Sequence, residues 1–88
     1  MKYKFVEVTS YAPEQYNILD ENDTLVAFLR MRWGKLEVHP YINGNIDWNT
    51  IMFKLDFGHE YLGAIPDNMK DNIFETISNK INDYGKND

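Results

Sequence analysis

The sequence predicts an α+β fold, an antiparallel meander of four to five strands with one C-terminal helix packed on one face. Three observations lead there. Up to Phe57 the chain alternates between apolar and polar residues with a period of two. That alternation is broken by turn signals, Asn43-Gly44 the clearest. From Asp67 onward apolar residues recur at three- and four-residue spacing instead. At 88 residues and 43% hydrophobic, the chain fits a single domain over 1–88 and is too apolar to be disordered.

Tyr3 to Thr9 (YKFVEVT) reads as a strand, rich in the aromatic and β-branched residues that suit a pleated surface. SYAPEQ is a connection, because Pro13 lacks the N–H a central strand requires. Tyr16 to Leu19 forms a short second strand that ends in the polar turn DEND. Leu25 to Trp33 alternates most clearly. Leu25, Ala27, Leu29, Met31 and Trp33 share one face, and Val26, Phe28, Arg30 and Arg32 the other.

Gly34-Lys35 fits a two-residue hairpin with glycine at its first central position, a type II′ turn. That register sets Trp33 opposite Leu36, Met31 opposite Val38 and Leu29 opposite Pro40. On the other face it sets Arg32 opposite Glu37, Arg30 opposite His39 and Phe28 opposite Tyr41. A one-residue slip would mix the apolar and polar sets. Leu36 to Tyr41 is thus the fourth strand, and Asn43-Gly44 reverses the chain through a type I′ turn.

IDWNT (46–50) has no clear pattern and fits a bulge or an irregular stretch, after which Thr50 to Phe57 resumes alternation through Ile51, Phe53, Leu55 and Phe57. GHEYLGAIP (58–66), with two glycines and a proline, reads as a loop crossing the fold. Asp67 can cap a helix running to about Tyr84, with Met69, Ile73, Phe74, Ile77, Ile81 and Tyr84 on one stripe and Gly85 at the C′ position. This helix is expected to cover Leu25, Leu29, Met31, Trp33, Leu36, Val38, Phe53 and Leu55. The opposite sheet face is left to water or a partner.

Composition narrows the function. Fourteen acidic residues against nine basic ones, a net charge of −5, argue against direct binding along nucleic acid, which needs a basic face. The absence of cysteine excludes a disulfide framework and cysteine-based metal or redox chemistry. No apolar run approaches the ~20 residues of a membrane span, and the opening MKYKFVEV has no apolar leader segment. A cytoplasmic chain without membrane contact is expected. At this size folding buries only about 60% of the chain's surface, so function is expected on a face or in a shallow groove.

Several strings imitate motifs. LDFG at 55–58 matches a kinase triplet without any other kinase element. His59-Glu60 lacks the second histidine of a zinc-protease helix, and Asp20, Asn22 and Asp23 lack the glycine and distant glutamate of a calcium loop. With no nucleophile, metal set or phosphate loop, no enzyme, metal or cofactor is expected, and His39 and His59 read as surface polar residues.

The candidate binding surface is the uncovered sheet face, bearing Phe28, Arg30, Arg32, His39 and Tyr41, with Trp48 brought alongside by the segment before Thr50. Arg30 and Arg32 are the chain's only arginines among seven lysines. They project the same way about 7 Å apart, each a planar fork able to hold a carboxylate or phosphate through two hydrogen bonds. Arginines beside aromatics are the composition of binding hot spots. The same residues also allow a purely structural reading, in which Arg32 pairs with Glu37 and Phe28 stacks on Tyr41.

The run YNILDENDTLVAFLRMRWGKLEVHP, residues 16–40, resembles a pattern in small proteins of phages and mobile elements of Gram-positive bacteria. There an aromatic-Asn-hydrophobic strand leads through an acidic turn into a strand ending in L-R-x-R-W-G. The matching positions are Tyr16, Asn17, Asp20, Leu29, Arg30, Arg32, Trp33 and Gly34, and the run is about a quarter of the chain. The turn departs from the pattern's commoner acidic-Gly form by carrying Asn22-Asp23.

Small size, an acidic surface, one uncovered sheet face bearing aromatics and arginines, and this resemblance together lead to the expectation of a non-enzymatic phage-type accessory protein that binds, and inhibits, a host defence or regulatory protein. The alternative is a binder of an anionic small molecule such as a nucleotide signal. Arg30 and Arg32 would then hold phosphate, and Phe28, Tyr41 or Trp48 would stack on the base. One chain of this size cannot surround such a ligand, so that alternative requires a homo-oligomer with the site between subunits. A structural virion component is the third class.

Overall fold

A computed structural model of the chain describes residues 3–9, 14–58, 65 and 67–86. Among these residues six strands form one antiparallel sheet: β1 (Lys4–Thr9), β2 (Gln15–Leu19), β3 (Leu25–Arg32), β4 (Lys35–Ile42), β5 (Asn45–Ile46) and β6 (Phe53–Asp56). A single 3₁₀ turn, Asp67–Met69, leads into the only helix among the described residues, α1 (Lys70–Lys86). β1 to β4 are neighbours in chain order, and β5 and β6 both pair with the outer edge of β4. The α+β meander with one C-terminal helix is therefore the fold. Residues 10–13, His59 and most of the 58–66 loop lie outside the described residues.

Local chemistry explains the turns. Asp20 Oδ1 accepts from the backbone N–H of Asn22 (2.8 Å) and Thr24 (3.0 Å), so the acidic DEND run closes the β2–β3 turn on itself. Asn43 and Gly44 have φ of 53° and 83°, both left-handed, as a type I′ turn requires.

The β3–β4 turn departs from expectation. Its central residues are Trp33 (φ 55°) and Gly34 (φ 74°), so the turn is type I′ and not the expected II′ on Gly34-Lys35. Pairing shifts by two residues: Met31 faces Leu36, Leu29 faces Val38, Ala27 faces Pro40, Arg30 faces Glu37 and Phe28 faces His39. A two-residue shift keeps side-chain parity, and both faces retain the residues expected of them. It moves Trp33 out of the core into the turn, where it is 67% exposed. A bulky residue in this conformation stores about 1 kcal/mol of strain, which the Arg30–Glu37 pairing and the closed apolar rows help to offset.

The core lies between the sheet and α1. Tyr16 and Ile18, Ala27, Leu29 and Met31, and Leu36 and Val38 are buried from β2, β3 and β4, against Ile73, Ile77 and Ile81 at four-residue spacing on α1. Phe74 adds a stacked contact with Phe5 (centroids 4.2 Å) and an edge contact with Tyr16 (5.2 Å). Ile65 is 2% exposed and joins the same core. Leu25, expected inside, is 41% exposed at the start of β3, beside a register irregularity at Ile18/Leu19. Met69 and Tyr84, expected on the apolar stripe, are exposed where they flank its buried part. The helix runs through Gly85 to Lys86 instead of stopping before it; glycine weakens a helix by about 1 kcal/mol without forbidding it.

Glu14 ties three segments together. Its backbone carbonyl accepts from Met31 N–H, and its carboxylate accepts from Ile65 N–H (3.1 Å) and Tyr16 Oη (2.5 Å) and meets Lys70 Nζ (3.4 Å). Burial, followed by the hydrogen bond to the Glu14 carboxylate, pushes the Tyr16 phenol up to about 12.

Candidate functional site

The sheet face away from α1 is built in rows set by register. Gln15, Arg30, Glu37 and Lys54 form one row and Asn17, Phe28 and His39 the next, while Arg32, Lys35 and Asp56 lie toward the hairpin tip. Parity therefore places Arg30 and Arg32 away from the helix, as expected.

The face is not bare, because residues 47–51 leave the edge of β4 and lay Trp48 over it. Their departure has a local cause. Pro40 and Val38 direct their carbonyls to the β5/β6 side, accepting from Asp47 N–H (2.9 Å) and Met52 N–H (2.8 Å). Pro40 has no N–H to offer on that side, so the ladder cannot continue between these two bonds. The excursion is held by Asp47, whose carboxylate accepts from Asn49 N–H (3.1 Å) and Thr50 Oγ1 (2.7 Å). The patternless 46–50 stretch is thus the element that completes this face.

Trp48 meets Phe28 edge-on (5.9 Å) and His39 edge-on (5.0 Å), and the Arg30 guanidinium lies 4.6 Å from its ring centroid. Phe28 is consequently only 7% exposed and His39 only 2%, so His39 is a buried residue and not the surface histidine expected. Trp48 itself remains 48% exposed. The expected stacking of Phe28 on Tyr41 is replaced by packing against Trp48. Tyr41 instead donates its hydroxyl to Asn17 Oδ1 at 2.7 Å, and burial raises its phenol.

Glu37 is the electrostatic hub beneath Trp48. Its Oε1 lies 3.3 Å from both Arg30 Nη2 and His39 Nε2. Burial alone would push its carboxyl up; hydrogen bonds from Arg30 and His39, with their charge, outweigh this and hold it below the usual carboxylate value. His39 Nδ1 is 2.8 Å from the Thr50 carbonyl, which like Glu37 Oε1 only accepts, so each ring nitrogen hydrogen-bonds its neighbour only when it carries hydrogen. Arg30 Nε is buried without a hydrogen-bond acceptor among the described residues, and the Trp48 ring stands in partial compensation. Arg30 is therefore committed to the fold.

The structural pairing expected for Arg32 falls to Arg30 instead. Arg32 is exposed opposite Lys35 and, with Lys35 and Lys54, forms no ion pair among the described residues. Of the sequence-predicted residues, buried Phe28 and His39 with half-buried Arg30 thus form a base; Trp48 lies over it, Tyr41 is partly buried nearby, and Arg32 stands at the rim with no ion pair among the described residues.

Sequence reading missed Trp33, Lys35 and Lys54 as surface features. The signal for Trp33 was its dipeptide: Trp33-Gly34 occupies the same turn positions as Asn43-Gly44. Among the described residues there is no group of three or more metal-ligating side chains, and no helix is long and apolar enough to cross a membrane. Comparison of the chain with protein-family models, with curated proteins and with solved structures finds no match.

Proposed function

We propose that the chain is a non-enzymatic, phage-type accessory protein that binds a host defence or regulatory protein through the sheet face opposite α1, and inhibits it by occupying its surface. The observation that carries this reading is Trp48. It is a large aromatic residue pinned on three sides by Phe28, His39 and Arg30, yet 48% exposed on a face that α1 does not cover. A pre-positioned tryptophan loses little conformational entropy on binding, the property of a hot-spot anchor. Arg32 at the rim adds a cation that makes no ion pair among the described residues. The host assignment rests on the L-R-x-R-W-G resemblance.

The small-molecule alternative has less support, since Arg30 is engaged by Glu37 and Trp48 and leaves Arg32 as the only arginine free to grip a phosphate. Affinity capture from a bacterial host lysate tests the proposal, comparing wild type with Arg32→Ala/Trp48→Ala. A partner retained by the wild type and lost by the variant, while circular dichroism shows the fold kept, is the expected result. Identical partner sets for both proteins would overturn it.

A further inference from the structure

The chain carries −5 overall, but its open face near the β3–β4 hairpin reverses sign. Arg30, Arg32, Lys35 and Lys54 gather there against Glu37 and Asp56, and Arg30 already satisfies Glu37. Arg32 and Lys35 stand directly opposite each other, a like-charge pair that weakens a hairpin end. At the tip Trp33 holds φ 55° with 67% of its surface in water. The same chain builds the same turn geometry at Asn43-Gly44 with the residue that tolerates it, so the turn itself does not call for a tryptophan at 33. Two unfavourable choices sit side by side, and both present groups to solvent.

We infer that this hairpin end recognises an acidic protein segment with an apolar residue at its centre: Trp33 takes the apolar residue, while Arg32, Lys35 and Lys54 take the flanking carboxylates. The inference rests on the proposed open-face binding and adds the chemistry of the partner. A protein segment fits better than nucleic acid. Carboxylates at Glu37 and Asp56 interrupt the cationic rows, a spacing that separate carboxylates around an apolar residue can match and a continuous phosphate backbone cannot.

The test is an amide-shift titration of the ¹⁵N-labelled full chain. The probe is a dodecapeptide of Asp and Glu around a central Leu-Phe pair, with its Asn/Gln counterpart and a twelve-nucleotide oligo-dT as comparisons. The acidic peptide is expected to shift residues 32–35, Lys54 and the Trp33 indole, and to bind at least tenfold more tightly than the neutral one. Arg32→Glu/Lys35→Glu should weaken it at least tenfold, and Trp33→Asn, which keeps the turn, several-fold. Equal binding of the neutral peptide on this face would remove the acidic partner and leave open-face binding standing. Shifts confined to the helix side of the molecule, where Phe53 and Leu55 of β6 and Met69, Ile73 and Thr76 line a shallow groove, would remove both. Oligo-dT binding as tight as the acidic peptide, or no shift with any probe, would also overturn the inference.

Discussion

Arg30 and Glu37 face each other directly across β3 and β4, with Nη2 and Oε1 3.3 Å apart, and the same carboxylate oxygen lies 3.3 Å from His39 Nε2. Glu37 thus answers one certain positive charge and one ring that becomes positive on protonation, beneath a tryptophan. Glu37→Gln is expected to lower stability by about 2 kcal/mol at neutral pH, because Arg30 would stay half-buried without its counter-charge. Urea unfolding measures this. The folded-state carboxyl is held below its ordinary value of 4.5, so its contribution is full above that pH and fades as pH falls through the lowered value. The gap between wild type and Glu37→Gln should therefore close in acid.

Trp33→Asn should make the protein more stable. Asparagine accepts φ 55° with far less strain and completes the same Asn-Gly pair used at 43–44. A gain of about 1 kcal/mol, or roughly 4–8 °C in Tm, is expected by calorimetry. A fall in Tm would mean that Trp33 contributes packing its exposure does not reveal.

Tyr16→Phe removes the phenol that Glu14 accepts from. At neutral pH it should lower stability by about 1 kcal/mol. The phenol lies at about 12 in the fold against 10.0 for the free group, so its contribution is complete below pH 10 and is lost as pH rises from 10 toward 12. Denaturant midpoints across that window should fall less steeply in the variant. Some slope should remain, because Tyr3 and Tyr41 are also raised.

Trp48→Ala should uncover Phe28 and His39 while sparing the core beneath α1. A loss of about 2 kcal/mol is expected, less than the ~3–5 for a fully buried aromatic because half of this ring already meets water. Helical circular dichroism should be unchanged before unfolding, and ring-proton shifts of Phe28 and His39 should move. Silence at His39 would show that Trp48 does not rest on it.

Much of the architecture is readable residue by residue. The alternation from Leu25 to Arg32 assigns Leu29 and Met31 to one face and Arg30 and Arg32 to the other. Ile73, Ile77 and Ile81 mark the buried side of α1, and Asn43-Gly44 marks a turn. The candidate site was legible as a list and not as an arrangement. Half-buried Arg30 and buried His39 belong to it as supports of Trp48, and the Arg30–Glu37 pair was assigned to Arg32 because the hairpin was read two residues out of place.

The division has a physical basis. Sequence alone determined which face the side chains within the strands and the helix take, because the strand's two-residue period and the helix's near-four-residue period are properties of neighbours along the chain. Alternation is blind to a two-residue shift, so hairpin register was decided by what met across the strands: Arg30 with Glu37, and Phe28 with His39. Burial of a polar histidine and exposure of a tryptophan were decided in three dimensions. They follow from a proline that ends a ladder, a loop that carries Trp48 over the sheet, and a turn that takes Trp33 out of it.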